Sequence, residues 1–324
     1  MQQNQTDARM ITTTVDRIVS EVEKVIVGKR EVITRAVIAM LCEGHILLED
    51  VPGLGKTMLA RSLAAAVGGE FSRVQFTPDL LPTDITGAMV FDPRTAEFSY
   101  RDGPIVTNVL LADEINRAGP RTQSSLLEAM EERQVSVERH SVTLPRPFFV
   151  IATQNPVELE GTFPLPEAQL DRFLMRISIG YPEIDEEREM LRRFRENVPL
   201  EQVETVATIE EILAIIKAIR HITISEVVEG YLLEIVRATR TEEMLEVGAS
   251  PRAALALARA SQAYAGTQGR DYVLPDDVRE MAPDVLAHRL LATAQSELLG
   301  TTQADIVRKV IEKIEVPVES GNVV

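Results

Sequence analysis

Ile46-Leu-Leu-Glu-Asp-Val-Pro-Gly-Leu-Gly-Lys-Thr57 is the stretch from which the rest of the chain can be read. Its first half, Ile46 to Asp50, is apolar and strand-length. Pro52, Gly53 and Gly55 then force a turn, and the residues from Thr57 to Val67 have helical periodicity. A glycine-rich turn between a buried strand and a helix lets several backbone N–H groups converge on one anion, and the helix N-terminus favours negative charge there. In this context Lys56 is suited to reach β- and γ-phosphates and the Thr57 hydroxyl to hold Mg²⁺. Pro52, Gly53, Leu54, Gly55, Lys56, Thr57 and Met58 are therefore candidate nucleotide-binding residues. The full pattern asks for glycine five positions before Gly55, where this chain has Asp50. Aspartate tolerates left-handed backbone better than most residues, which leaves the loop able to form.

Working outward, helices are expected over Asp7–Lys24 and Lys29–Cys42, and further strands over Arg73–Phe76, Val106–Ala112, Phe148–Thr153 and Leu174–Ile179. Five short apolar strands joined by helices or loops imply a parallel sheet covered on both faces. Two stretches of period-two alternation around polar turns read as hairpin insertions: Ala88–Asp92 with Glu97–Tyr100, and Gln134–Glu138 with Ser141–Leu144. From residue 184 onward the pattern is helical: Glu183–Asn197, Ile209–Arg220, Val227–Thr239, Pro251–Ala265, Pro275–Pro283 and Ala304–Ile314. The expected division is an α/β core over residues 1–183 and an all-helical domain over residues 184–324. The tail Val316–Val324 is expected to be loose.

Val109-Leu-Leu-Ala-Asp113-Glu114 is a buried strand ending in two carboxylates. Beside a phosphate loop, Asp113 is suited to hold Mg²⁺ through water and Glu114 to act as general base on an attacking water. Asn155 follows another buried strand and can hydrogen-bond a γ-phosphate or that water. Ser250 is a natural N-cap and Pro251 a natural first helical residue, so Arg252 falls in the first turn. A cation there opposes the helix dipole by about 0.3–1 kcal/mol, which a nearby anion would relieve. Arg172 reads locally as a surface ion pair with Asp171 or Glu167.

Composition removes several classes. A net charge of −16 argues against broad capture of nucleic acid or of an anionic membrane. Four per cent aromatics and no tryptophan make a poor base-stacking platform. One cysteine, Cys42, permits neither an intrachain disulfide nor a thiolate cage, and four scattered histidines suggest no structural metal site. No stretch approaches the roughly 18 apolar residues of a membrane span, and the polar start lacks a secretory pattern, so the cytoplasm is the expected location. An Asn-Lys-x-Asp guanine-reading segment is missing from the sequence, which favours ATP over GTP.

Taken in order, Glu43–Thr57, Leu111-Ala-Asp-Glu-Ile-Asn-Arg-Ala118, Arg121–Glu132, Ala152-Thr-Gln-Asn-Pro156, Glu167-Ala-Gln-Leu-Asp-Arg-Phe173 and Ser250-Pro-Arg252 resemble the MoxR family of AAA+ ATPases. The resemblance implies a P-loop NTPase core with sheet order 5-1-4-3-2, which would set the Asn155 strand between those of Lys56 and Asp113. It implies that Ile26-Val27-Gly28 contacts adenine, making Val27 and Gly28 candidates. It makes Arg172 an arginine finger for the neighbouring subunit and Arg252 a sensor of nucleotide phosphate. It also implies a ring, expected to be a hexamer, that uses ATP and Mg²⁺ to remodel or activate a client, often alongside a protein with a von Willebrand factor A domain. A nucleic-acid motor and a nucleotide-gated scaffold are the rival readings.

Overall fold

A computed structural model describes residues 2–94, 96–137, 140–155, 161–196 and 199–317. Five core strands run over Ile46–Glu49 (β1), Phe71–Gln75 (β2), Val109–Asp113 (β3), Phe149–Gln154 (β4) and Met175–Ile177 (β5). They form one parallel sheet in the order β5-β1-β4-β3-β2, as the family resemblance implied. Glu49 pairs in register with Gln154, Ala152 with Ala112, and Asp113 with Gln75. The carboxyl ends of β1, β4 and β3 therefore finish side by side, although their residues are far apart in the chain.

The central strands are apolar and buried: Ile46, Leu48, Leu110, Leu111, Val150 and Ile151 are all fully enclosed. That continuous apolar pattern fits a sheet covered on both faces. Helix Lys56–Ala66 leaves the glycine-rich loop and buries Leu59, Ala60, Leu63, Ala64 and Ala66. Each leucine enclosed this way contributes roughly 1.5–3 kcal/mol. Local polar contacts explain why two strands are shorter than expected. Thr107 and Asn108 bond the backbone of Glu70, at 2.9 and 3.1 Å, so β3 begins only at Val109. Ser178 to Gly180 bond the Asp50 side chain, so β5 ends at Ile177.

Both hairpins form, over Gly87–Asp92 with Glu97–Asp102 and over Gln134–Val137 with His140–Thr143. The turn residue Arg139 lies outside the described residues, as does the tail beyond residue 317. By backbone packing the chain forms two compact units. One comprises Thr14–Phe173 and Ile177–Leu213, the other Met1–Thr13, Leu174–Arg176 and Ala214–Val324. The helix Ile184–Glu196 thus groups with the sheet-bearing unit. The other unit is built on helices Glu226–Ala238, Pro251–Thr267, Pro275–Leu286 and Gln303–Lys313. The all-helical expectation missed a short antiparallel pair there, Leu245–Val247 with Leu291–Ala292. Helix Pro275–Leu286 also runs past its expected stop at Pro283. Val285 and Leu286 are fully buried, and that burial offsets the backbone bond the proline cannot donate. Among the described residues, no helix is long and apolar enough to cross a membrane.

His45, just ahead of β1, is a structural histidine. Its Nδ1 accepts from the Val150 N–H at 3.0 Å, which leaves Nε2–H to donate to the Met130 carbonyl at 3.2 Å. Burial pushes its pKa down from 6.5 to about 4, with the Arg133 charge adding to the fall. The fold therefore favours neutral His45. This contribution is complete above pH 6.5 and is lost as pH falls toward 4; the shift corresponds to roughly 3 kcal/mol. Urea denaturation between pH 7.5 and 4 should show that decline, and His45→Asn should have a shallower pH slope across the same interval.

Candidate functional site

The loop after β1 turns at Gly53 (φ +89°) and Gly55 (φ +84°), backbone conformations that glycine alone adopts without strain. Gly55 is the N-cap residue of helix Lys56–Ala66. Lys56 Nζ donates to the carbonyl of Asp50 and, at 3.5 Å, to that of Gln154, so the ammonium lies across the ends of β1 and β4. Burial pushes Lys56 below the ordinary lysine range, while the carboxylates of Asp50, Asp113 and Glu114 pull the other way. A half-buried ammonium in that balance is well matched to an additional anion.

Asp50 does not play the part expected of it. The described non-glycine residues with positive φ are Glu43, Ala96, Glu114 and Arg133, so Asp50 is not a left-handed substitute for glycine. Its carboxylate is the functional feature. Buried at 6% exposure, it accepts from the Ser178 hydroxyl at 2.6 Å and from the N–H groups of Ile179 and Gly180 at 2.6 and 3.2 Å. It ties the loop to the chain leaving β5.

The acidic end of β3 is held by Thr153, which carries no local signature in the sequence. The fully buried Thr153 hydroxyl donates to Asp113 Oδ1 at 2.7 Å and accepts from the Glu114 N–H at 2.8 Å. Glu114 has left-handed backbone (φ +56°), and its Oε2 accepts from Gln75 Nε2 at 2.8 Å and Arg117 Nη1 at 2.9 Å. Asn155, the residue after β4, is 7% exposed.

Two cavities share the loop as a common wall. A polar one of about 390 Å³ is lined by Lys56, Thr57, Met58, Asp113, Glu114, Thr153 and Asn155, with Arg73 and Gln75 of β2. A larger one of about 560 Å³ is lined by Val25, Ile26, Val27 and Leu54, with Tyr181, Pro182, Met190, Leu191 and Phe194. Pro52, Gly53, Gly55 and Met58 face both. The arrangement suits a long ligand with an anionic end and a flat apolar end. The Thr57 hydroxyl and Asp113 carboxylate are hard oxygen donors, which suits Mg²⁺. Among the described residues no group of three or more acidic, histidine or cysteine side chains could hold a metal.

The remaining candidates separate. Gly28 (φ +72°) makes a turn over which the Glu186 carboxylate lies, 1.9 Å from where a Cβ would sit. Arg172 pairs with Glu131, Nε to Oε2 at 3.2 Å, rather than with Asp171 or Glu167 as its local sequence suggested. The helix brought in by Pro120–Glu132 supplies that partner from forty residues upstream. Arg252 is exposed in the first turn of helix Pro251–Thr267, with the Ser250 hydroxyl capping the Ala253 N–H at 3.2 Å as expected.

Replacing Asp50 with glycine makes the sequence match the general phosphate-loop pattern, yet it strands the N–H groups of Ile179 and Gly180. The expected result is a loss of roughly 1–3 kcal/mol in urea denaturation, with Asp50→Asn losing less.

The ATPase family associated with various cellular activities (AAA) matches residues 45–175, and the AAA lid domain matches residues 237–310. Protein YeaC of Bacillus subtilis is 46% identical, covering 95% of this chain and 96% of that protein. Chaperone MoxR1 of Mycobacterium tuberculosis is 42% identical, covering 94% of this chain and 82% of that protein. A Cytophaga hutchinsonii crystal structure, described as an ATPase, superposes with a TM-score of 0.90 at 39% identity and 98% coverage of both chains. A phosphate loop and paired acids on a β5-β1-β4-β3-β2 sheet, together with these relatives, show that the chain belongs to the MoxR family of AAA+ ATPases.

Proposed function

We propose that this ATPase works as a ring, expected to be a hexamer, that couples ATP hydrolysis to remodelling or activation of a partner protein. The observation carrying the reading is the convergence of Lys56, Asp113, Glu114 and Asn155 on one polar cavity that shares its wall with an apolar one. The chaperone name of one relative supports the remodelling role. A partner with a von Willebrand factor A domain follows from the family resemblance, and the cytoplasm is the expected site of action.

In this reading the apolar cavity takes adenine, with Val27, Leu54 and Met58 against the base and the Gly28 turn beside them. The loop N–H groups and Lys56 hold the β- and γ-phosphates. Thr57 and Asp113 would hold Mg²⁺, which supplies charge that offsets the phosphate oxygens. Glu114 accepts a proton from the water that attacks the γ-phosphorus, as the bond from phosphorus to the β–γ bridging oxygen breaks. Its left-handed backbone, fixed by Thr153, turns the carboxylate toward the cavity. Asn155 orients that water. Arg252 senses phosphate, and Arg172 leaves Glu131 to act on the nucleotide of the next subunit.

Two variants separate binding from chemistry. Lys56→Ala should abolish nucleotide binding, whereas Glu114→Gln should bind ATP normally and hydrolyse it at least about 100-fold more slowly. Equilibrium binding and single-turnover hydrolysis measure the two; normal turnover in Glu114→Gln would exclude Glu114 as the base.

Sharing of sites between subunits has its own test. Lys56→Ala and Arg172→Ala should each be nearly inactive, since loss of a transition-state arginine costs about 10³-fold or more. In rings mixed equally and at random, head-to-tail contacts leave about a quarter of sites intact. With subunit exchange confirmed by labelled protein, the mixture should hydrolyse ATP well above either parent. A mixture as inactive as its parts would rule out independent sites completed by a neighbour's Arg172.

A further inference from the structure

Strand β2 brings two polar side chains to the site that no motif flagged. Arg73 and Gln75 are two residues apart and so project from one face of the strand. Gln75 pairs in register with Asp113, which sets that face against the acidic end of β3. Arg73 donates to Asp113 Oδ2 from Nη2 at 2.7 Å and from Nε at 3.1 Å. The same Nη2 donates to Gln75 Oε1 at 2.8 Å, and Gln75 Nε2 continues to Glu114 Oε2. A guanidinium and an amide thus join the two carboxylates in one chain of hydrogen bonds.

The two oxygens of Asp113 are held very differently. Oδ1 is bonded by Thr153, which is 1% exposed and fixed within β4. Oδ2 is bonded by Arg73, whose side chain is 47% exposed. Oδ2 is thus the oxygen that a cation can approach, directly or through a water, and Arg73 already engages it. A guanidinium and a divalent cation repel one another across so short a distance, while the exposed ion pair itself is weak and its long side chain has room to move.

We propose that Arg73 is a positioning residue that holds Asp113 by Oδ2 and must withdraw from that oxygen when the metal–nucleotide complex binds. The proposal rests on the phosphate-site reading given above.

The test is equilibrium binding of a fluorescent ADP analogue to the full chain in EDTA and in Mg²⁺, for wild type, Arg73→Gln, Arg73→Lys and Lys56→Ala. Melting curves establish that each variant is folded. In EDTA, Arg73→Gln should match wild type within about twofold. In Mg²⁺ it should gain more affinity than wild type does, by about 2- to 5-fold, because no guanidinium has to be displaced. Arg73→Lys, which keeps the charge, should lie near wild type. A direct Mn²⁺ titration followed by electron paramagnetic resonance, at saturating nucleotide, should show the same tightening. An unchanged or reduced metal-dependent gain in Arg73→Gln would overturn the proposal while leaving the phosphate site intact. If wild type and Lys56→Ala bind the analogue equally, or neither binds it, the phosphate-site reading fails and the proposal falls with it.

Discussion

The hydroxyl of Thr153 sets the geometry of the acidic half of the site. It is one atom with two duties, giving its proton to the Asp113 carboxylate and accepting from the Glu114 amide. A residue as large as glutamate does not adopt φ +56° without something to hold it, and such backbone typically costs 1–3 kcal/mol. The central place of β4 makes this possible, because no other strand touches both β1 and β3. The sheet order is thus a chemical requirement here, and the buried apolar runs of β1, β3 and β4 provide the rigidity that keeps the hydroxyl in position.

Charge is arranged around this frame so that no group is matched one to one. Lys56 feels four carboxylates, donates to two carbonyls, and is still pushed below the ordinary lysine range by burial. The acids in turn are shared among Thr153, Gln75 and two arginines, Arg73 and Arg117. Each partner is an exposed or partly exposed side chain of modest individual strength, apart from Thr153. Such a cluster can exchange one counter-charge for another at small cost, which a site that cycles between different anions requires.

The core strands and the principal loop were legible because they depend on local patterns: short apolar strands, the Gly53-Leu-Gly55-Lys56-Thr57 turn, and acids at the end of a buried strand. The family resemblance supplied the strand order, which no periodicity could give. What escaped notice has a common cause. Thr153, Arg73 and Gln75 act through partners forty residues away, and a threonine inside an apolar strand or an Arg-x-Gln on an edge strand has no local signature. Period-two spacing would have placed Arg73 and Gln75 on one face, but not beside Asp113. At Asp50 the pattern points to the backbone, whereas the carboxylate makes the contacts, with partners more than a hundred residues downstream. Arg172 was assigned neighbours in sequence, whereas its partner Glu131 sits on a different helix.

The Asp50 carboxylate has a consequence for motion as well as for structure. The amide hydrogens of Ile179 and Gly180 end on it, so they exchange with solvent only when that carboxylate lets go. The loop that begins at Asp50 and the chain that leaves β5 therefore open as one cooperative piece. Two amides more than a hundred residues downstream keep time with the first turn of the phosphate loop, and their rate of deuterium uptake is a clock for its opening.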